Sequence, residues 1–260
     1  MIRKILSAIL LTSLCLFGLV LVNRFFLQTN DYRNPLLFGN PSHMGYYEIH
    51  PETILDKINR GEFDVFAPSS EDMFSRNEPY YSDIHWSQTD YLRIVDAVSQ
   101  AIWHEPLDLK KWNILSLVTQ QDCVDNPQGF YDFDIVYFQN SKRGFWEREY
   151  QVRHVEVLPW KGFVLWGEDT FADTTLHNWG SAHLSDFQVT AEDALFIAER
   201  NGGSKMRQEA RNPCWISIRL TNYPPVNGYT HNDWVVDYGT PGSYIRINPL
   251  SGKFKVINRN

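Results

Sequence analysis

The fold is decided by the stretch Ser87-Gln-Thr-Asp-Tyr-Leu-Arg-Ile-Val-Asp-Ala-Val98 and by its later counterpart Thr190-Ala-Glu-Asp-Ala-Leu195. Apolar residues in the first stretch recur at the spacing of one helical face and form the stripe Tyr91, Ile94, Val95, Val98 and Ile102. Each stretch opens with a hydroxyl residue that is followed three positions later by Asp, a variant of the capping box. Both stretches therefore predict helices, the first ending at Pro106 and the second closing at Asn201-Gly202-Gly203.

A series of strands is predicted after each helix. Segments rich in Val, Ile, Tyr, Phe and Trp cover 112–120, 131–139, 150–158 and 162–167 after the first helix, and 215–220, 233–238, 244–247 and 253–257 after the second. Such residues favour a pleated, half-buried surface. Each series predicts one helix packed on an antiparallel sheet, which is an α+β fold.

The same order of features occurs twice, at a spacing that falls from 103 residues to 90 because the first copy carries about eleven extra residues around 141–149. Thr190 follows Ser87 by 103 residues, and Trp215 follows Trp112 by the same number. The motif Val-x-Val-x-Pro-x-x-Gly over 155–162 returns as Ile-x-Ile-x-Pro-x-x-Gly over 245–252. This succession predicts a duplication, with a first α+β unit over 84–172 and a second over 173–260. Two unrelated segments of similar composition are the alternative.

An apolar, uncharged run of 18 residues covers 5–22 and directly follows Arg3-Lys4. As a helix it would be about 27 Å long, close to the hydrocarbon thickness of a bilayer. The sequence therefore predicts a signal anchor or transmembrane helix over 1–27, with a removed signal peptide as the alternative. Because the basic pair stays in the cytoplasm, we expect a single-pass protein of the cell membrane with its C-terminal bulk outside.

The region between this anchor and the first unit lacks periodicity. Residues 28–83 contain turn formers such as Asn34-Pro35, Gly39-Asn-Pro41 and Gly45. They predict a tether with one short helix, which begins at Pro51 and stops at Gly61.

The composition limits the class of partner. The chain has 260 residues, is 43% hydrophobic and carries a formal charge of −7. A net-negative domain repels phosphate backbones, and no basic stripe is present. Nucleic acid is therefore not an expected partner, whereas the membrane is one through the N-terminal helix.

Two of the three cysteines lie outside the apolar run. Cys123 follows the first predicted strand of the first unit, and Cys214 begins the first strand of the second. In an oxidising compartment such a pair forms a disulfide, with two unpaired thiols as the alternative. A Cys123–Cys214 bridge would join the two predicted units.

The second unit resembles PepSY-type domains. The likeness lies in the Ala-rich helix after Thr190, the Trp-centred strand over 233–238, and the final hairpin, which reads Tyr-Ile-Arg-Ile-Asn-Pro-Leu-Ser-Gly-Lys-Phe over 244–254. Asn248 stands where that family usually has Asp. The first unit resembles the family only through the repeat. The whole chain is also similar to membrane-anchored bacterial envelope proteins that carry a Trp-Ser-Gln-x-Asp-Tyr segment, here 86–91. The resemblance implies a modulator of a protein partner such as a peptidase, and it brings no catalytic residues.

No arrangement of residues predicts catalysis, a cofactor or a metal site. A polar loop holds His177 and His183 with Asp169, Asp173 and Asp186, but without the spacing of a metal-binding motif. The acids Asp122, Asp125, Asp132 and Asp134 do not have the spacing of a Ca²⁺-binding loop. An aromatic ligand platform could be built from Trp146, Trp160, Trp166 and Trp179, for which packing in the core is the alternative.

We therefore expect a membrane-anchored, extracytoplasmic binding or modulatory protein without catalytic activity of its own. One alternative is an envelope hydrolase that acts on peptide or glycan through Glu168 and Asp169 or through His177. A second alternative is a structural component of the envelope.

Overall fold

The protein contains a large antiparallel sheet and few helices. The computed structural model describes residues 43–62, 66–68, 84–123, 129–143, 148–172, 182–210, 215–221, 233–239 and 243–258. Within these ranges the sheet has ten strands. The mixture of helices with antiparallel strands confirms the predicted fold class in its coarse form.

The predicted strands are present, with ends that differ from the prediction by a few residues. The strands are β1 (His43–Glu48), β2 (Ala67–Pro68), β3 (Asn113–Asp122), β4 (Asp132–Arg143), β5 (Arg148–Leu158), β6 (Phe163–Ala172), β7 (Trp215–Thr221), β8 (Asp233–Asp237), β9 (Ser243–Ile247) and β10 (Phe254–Asn258). The α-helices are α1 (Pro51–Asn59), α2 (Gln88–Trp103), α3 (Ala191–Ala198) and α4 (Ser204–Glu209).

The strand order shows how the two series of strands meet. It is β10-β9-β8-β7-β3-β4-β5-β6-β1-β2, and all neighbouring strands are antiparallel. The first strands of the two series, β3 and β7, are neighbours. Their register places Leu117 opposite Leu220, two positions that are also 103 residues apart. The later strands of each series therefore extend away from this pair in opposite directions.

Helices α2 and α3 pack on the same face of this sheet. Ile94 of α2 and Leu195 of α3 belong to the same buried cluster as Leu117 and Leu220. Because alternate residues of a strand share a face, this side of the sheet can be named the helix face and the other the back face. The apolar stripes of both helices are buried against this face of the sheet. This burial removes apolar surface from water on both the helices and the strands, which stabilises the fold.

The prediction of a tether over 28–83 is wrong for residues 43–48, which form β1 beside β6. Gly45 does not form the predicted turn, because it lies inside β1, where it lets a side chain pack closely. A Cβ atom at Gly45 would lie 2.8 Å from Cζ2 of Trp166, so only glycine lets that indole cross the strand. The short helix predicted at Pro51 is confirmed as α1, with proline at its start.

Helix α2 begins as predicted. The hydroxyl of Ser87 accepts a hydrogen bond from the N–H of Asp90, and the Asp90 carboxylate accepts one from the N–H of Ser87, both at 3.2 Å. All residues of the predicted stripe are buried except Ile102, which is half-buried. The helix ends at Trp103, where His104 takes up a left-handed backbone conformation.

The second predicted helix ends where predicted, and a further short helix follows it. Thr190 caps α3 as predicted. Asn201 and Gly202 have non-helical backbone angles, with φ of −120° and 110°, and they separate the helical path of α3 from α4. Met206 of α4 is buried, which keeps this second helix on the core.

Other predictions concern residues outside the described ranges. The anchor over 1–27 is one of them, and so are residues 28–42 and 69–83 of the tether. Among the helices that are described, none has the length and apolar character needed to cross a bilayer.

The N-termini of α2 and α3 contact each other directly. The N–H of Gln88 donates to Oε1 of Glu192 at 2.5 Å, and the N–H of Ala191 donates to Oε1 of Gln88 at 2.8 Å. Gln88 is only 6% exposed. A carboxylate between two helix N-termini is favoured by both helix dipoles. This exchange of hydrogen bonds fixes the two helices relative to each other.

We predict that Gln88→Glu lowers the free energy of unfolding by about 2 kcal/mol or more, because the new carboxylate would face Glu192 in a partly buried site. Thr89→Glu is the matched control, since it adds the same charge to the same helical turn at an exposed position, where the helix dipole favours it. Chemical denaturation of both variants measures the difference. Equal effects of the two substitutions would contradict the described contact.

Candidate functional site

Arg153 of β5 lies in a buried cluster on the helix face. Its guanidinium carbon is 4.5 Å from a ring centroid of Trp103 and 4.5 Å from one of Trp112. Its Nε donates to Oε1 of Glu168 at 2.9 Å, and its Nη1 donates to Oε2 of Glu105 at 3.3 Å. We name these five residues the arginine cluster. The guanidinium of Arg153 thus contacts two indole rings and donates to two carboxylates, a combination that suits its planar shape and fixed fork of N–H groups better than the point charge of a lysine.

Further polar residues join this cluster. Gln151 donates through Nε2 to Oε1 of Glu168 at 2.5 Å. Lys111 pairs with Glu105, and the hydrogen bond from Lys111 is the main reason that the pKa of Glu105 lies below its usual value. Both carboxylates of the arginine cluster are thus held by cationic or amide donors. The arrangement locks α2 to β5 and β6.

A second cluster lies on the back face, where β4 pairs with β5. The register places Asp134 opposite Glu156, and Nε2 of His154 is 2.8 Å from Oδ1 of Asp134. Asp132 is two residues before Asp134 in the same strand and therefore shares its face. We name Asp132, Asp134, His154 and Glu156 the carboxylate–histidine cluster.

The proton affinities in this second cluster are raised. Burial raises the pKa of Asp132 to about 7, despite a hydrogen bond from the backbone of Gln120. Burial also raises the pKa of Glu156, and the charge of Asp134 raises it further. Burial lowers the pKa of His154, but the hydrogen bond and charge of Asp134 outweigh it, so the net shift is upward. All three groups bind protons more tightly in the folded than in the unfolded chain.

The matching position in β8 and β9 has a different charge balance. The repeated motifs place Asp233 where Asp132 stands and Arg246 where Glu156 stands, and the two strand registers agree with that match. Arg246 donates through Nη2 to Oδ2 of Asp233 at 2.5 Å, and both side chains are largely buried. In β5 the carboxylate of Glu156 thus stands where β9 has the guanidinium of Arg246. Asp132 therefore lacks the arginine that neutralises the charge of Asp233.

The back face also carries a gradient of charge across the strands. One row of directly opposed residues runs from β10 to β5 and comprises Lys255, Arg246, Val235, Arg219, Val118, Asp134 and Glu156. The basic residues lie toward β10, and the acidic residues lie toward β5. Lys255 stands at the basic end of the row, at the edge of the sheet.

That edge is exposed. Strand β10 pairs with β9 alone in the part of the chain that the structure describes. Phe254 and Val256 of this strand are 48% and 37% exposed. The opposite end of the sheet is different, because it finishes in the two-residue strand β2. We name the outward side of β10 the open edge.

The acids of the hydrolase alternative do not come together. Glu168 and Asp169 are consecutive in β6, so their side chains point to opposite faces of the sheet. Glu168 belongs to the arginine cluster, whereas Oδ1 of Asp169 accepts a hydrogen bond from the N–H of Thr170. His177 lies outside the described residues.

The residues considered for metal binding and for an aromatic platform have structural contacts where they are described. Nδ1 of His183 is 3.1 Å from the carbonyl oxygen of Trp112. Trp166 packs against Tyr47 and Trp103, with ring centroids 6.4 and 6.0 Å away. Within the described ranges, no group of three or more His, Cys, Asp or Glu side chains could hold a metal ion.

The predicted disulfide remains a prediction. Cys123 directly follows β3 and is partly buried against the core. Cys214 directly precedes β7 and lies outside the described residues.

Sequence reasoning missed both polar clusters. Arg153 interrupts a strand face that is otherwise apolar at Val155 and Val157, and this interruption was the available signal for the arginine cluster. The signal for the carboxylate–histidine cluster was the exchange of Arg246 for Glu156 between the two matching motifs.

We predict opposite effects of the same substitution at the two matching aspartates. At pH 8, Asp132→Asn raises the free energy of unfolding by about 1–3 kcal/mol, because it removes a charge that is costly to bury. Asp233→Asn lowers it by about 2 kcal/mol or more, because the largely buried guanidinium of Arg246 loses the negative charge of Asp233. Thermal unfolding of both variants beside the parent checks the sign of each effect.

The pH dependence of Asp132→Asn provides a second check. A carboxyl group whose pKa is raised in the fold stabilises the fold at low pH, and this stabilisation is lost as the pH rises from the ordinary value toward about 7. The parent is therefore expected to become less stable from pH 5 to pH 8, and the variant less steeply so. A variant that is less stable than the parent at pH 8 would refute the assignment.

Comparisons with known proteins show little. No protein-family model matches the chain, and no curated protein matches it. A crystal structure of HtdX from Mycobacterium tuberculosis is similar over 83% of this chain and 97% of that one, at 10% identity and a TM-score of 0.22. A TM-score of this size supports no conclusion about fold or function.

Proposed function

We propose that this chain is a membrane-anchored, extracytoplasmic binding or modulatory protein that does not catalyse a reaction itself. The observation that carries the proposal is the open edge, where Phe254 and Val256 are exposed on a strand with one neighbour in the described sheet. Edge strands with free backbone groups bind other chains by adding a strand to the sheet. The apolar run over 5–22 supports the membrane location.

The arrangement of the acids favours binding over hydrolysis. An acid pair that cleaves a glycosidic bond must flank that bond from within one site. Glu168 and Asp169 face opposite sides of the sheet, and Arg153 holds Glu168 at 2.9 Å. These two acids therefore cannot act together on one bond.

We also propose that residues 84–172 and 173–260 are duplicated units. Pairing of the matching residues Leu117 and Leu220 supports this, because a two-fold axis between two copies would make such a contact. A second likeness supports it too. The hydroxyl of Tyr137 lies 3.1 Å from that of Ser99, and Tyr238, which follows the matching strand, packs against Gly203 in the second helical region, where a Cβ atom would clash with its hydroxyl oxygen.

The resemblance of the second unit to PepSY-type domains favours a protein partner such as a peptidase. The described residues carry the features from which that resemblance was drawn. Trp234 is the second residue of β8, is buried, and donates through Nε1 to the carbonyl of Val189, just before α3. The final hairpin turns between Asn248 and Lys253.

The disulfide between Cys123 and Cys214 is part of the same proposal. Asp122 and Trp215, which precede and follow these cysteines respectively, are opposite each other in β3 and β7. A continuation of this register by one residue would oppose the two cysteines. Opposed residues in antiparallel strands are about 4.5–5.5 Å apart at Cα, a separation that a disulfide spans.

We predict that reduction of the purified chain lowers its thermal stability by several degrees, because the bridge closes a loop of about 90 residues in the unfolded state. Cys123→Ser should have the same effect and should make the protein insensitive to reductant. Mass spectrometry of a digest prepared without reductant tests the pairing itself. Recovery of Cys123 only as a free thiol would rule out the bridge.

The proposed function is tested with the full-length chain in its own membrane. A photo-crosslinking amino acid at Val256 is expected to capture one defined protein, whereas the same group at Glu52, an exposed residue of α1, is not. The purified chain is expected to show no turnover of peptide or glycan panels. Turnover that a single point substitution abolishes would overturn the proposal in favour of the hydrolase.

A further inference from the structure

We propose that the open edge binds an extended segment of a partner protein in which apolar and acidic residues alternate. The inference rests on the proposed binding function and names the chemical class of its partner. Three properties of β10 carry it: the direction of its free backbone groups, the difference between its two faces, and the unpaired charges on one of them.

Within the described residues, the backbone of β10 has N–H and C=O groups without a hydrogen-bond partner at alternate positions. The N–H of Asn248 donates to the carbonyl of Lys253 at 2.8 Å, which makes Lys253 an inward-bonded position. Inward and outward positions alternate along an antiparallel strand, so Lys255 is also bonded inward. The N–H and C=O groups of Phe254 and Val256 therefore point away from β9. An incoming strand would find its hydrogen-bond partners at these two residues.

The side chains of β10 divide by chemistry. Val256 lies opposite the buried Ile245 and therefore belongs to the helix face, as does Phe254. The intervening residues Lys253 and Lys255 belong to the back face and are exposed. The open edge is thus apolar on one side and basic on the other. A strand that complements it needs apolar residues on the first side and acidic residues on the second.

Charge selects the acidic partner. Lys255 lies opposite Arg246, whose guanidinium is already engaged by Asp233. Within the described residues neither Lys253 nor Lys255 forms an ion pair. A carboxylate beside Lys255 would form a favourable cross-strand pair, whereas a lysine would be repelled. A second copy of this chain would bring its own lysines to the same place, so the charges disfavour pairing of two β10 strands.

The sizes of the interaction energies show which groups would provide affinity and which would provide specificity. Exposed charge pairs contribute about 0.2–1 kcal/mol each, too little to hold a segment in place. Backbone hydrogen bonds and contacts with Phe254 and Val256 supply the affinity. The two lysines supply discrimination between acidic and basic segments.

The experiment measures binding of short fluorescent peptides to the full-length chain in nanodiscs of neutral lipid. Three of the peptides have Val or Phe at every second position. The residues between are all Glu in the first peptide, all Lys in the second and all Thr in the third. A fourth peptide is the Glu peptide with N-methyl groups on the amides that would face β10. We expect the Glu peptide to bind at least about tenfold more tightly than the Lys peptide, and the N-methylated peptide not to bind.

Two variants of β10 separate backbone recognition from charge recognition. Val256→Pro removes an outward N–H without disturbing a bond to β9, so it should abolish binding while the fold is kept. Val256→Thr is its matched control, because it keeps the N–H and the branched shape. Lys253→Glu combined with Lys255→Glu should reverse the preference, with the Lys peptide bound more tightly than the Glu peptide. Circular dichroism and unfolding midpoints show that each variant is folded.

Several outcomes would overturn the inference. Equal binding of the Glu and Lys peptides would refute the preference for an acidic partner. Binding of the N-methylated peptide would refute strand addition as the mode of binding. A concentration-dependent dimer that Val256→Pro abolishes would make a second copy the occupant. If none of the peptides binds but crosslinking at Val256 still captures a defined protein, this inference fails while the proposed function stands. If turnover by the chain is found, the proposed function fails whatever the peptides do.

Discussion

The pairing of β3 with β7 is the constraint on which the rest of the structure depends. It joins two short antiparallel series into one sheet, with Leu117 opposite Leu220 at the seam. Unjoined, each series would expose the backbone groups of its first strand. Once they are joined, α2 and α3 lie on the same face and share one core. The hydrogen bonds between Gln88 and the first turn of α3 then hold the two helices side by side.

The same pairing determines where the sheet can interact with other chains. Joining the two first strands buries two edges and leaves the last strands at the outside. On one side, β1 and the two-residue β2 follow β6, and a strand that short offers little backbone to another chain. On the other side, β10 ends the sheet with exposed Phe254 and Val256. Topology alone therefore makes one edge the better place for a partner strand.

The sequence predicted those features that depend on residues close together in the chain. The helical stripe from Tyr91 to Val98 and the caps at Ser87 and Thr190 are local, as is the preference of aromatic and β-branched residues for strands. The place of β1 in the sheet was missed because Gly45 signals a turn locally, while its role depends on Trp166 more than a hundred residues away. The arginine cluster was missed for the same reason, since its members come from α2, the segment after it, β5 and β6. The meeting of β3 with β7 is likewise a contact between distant segments.

Strands β4 and β5 resemble strands β8 and β9 in sequence pattern but carry different charges, so the two halves of the sheet differ in their electrostatics. In β8 and β9, Arg246 and Asp233 neutralise each other in a largely buried pair. In β4 and β5, Glu156 stands in place of the arginine, and burial, with a smaller contribution from the charge of Glu156, raises the pKa of Asp132 to about 7. A charge that is costly to bury destabilises a strand pair without improving its packing. The acids of β4 and β5 lie on the back face of one half of the sheet, while Lys253 and Lys255, which form no ion pair within the described residues, stand at the far edge of the other half. The back face therefore carries a gradient of charge that runs from one half of the sheet to the other.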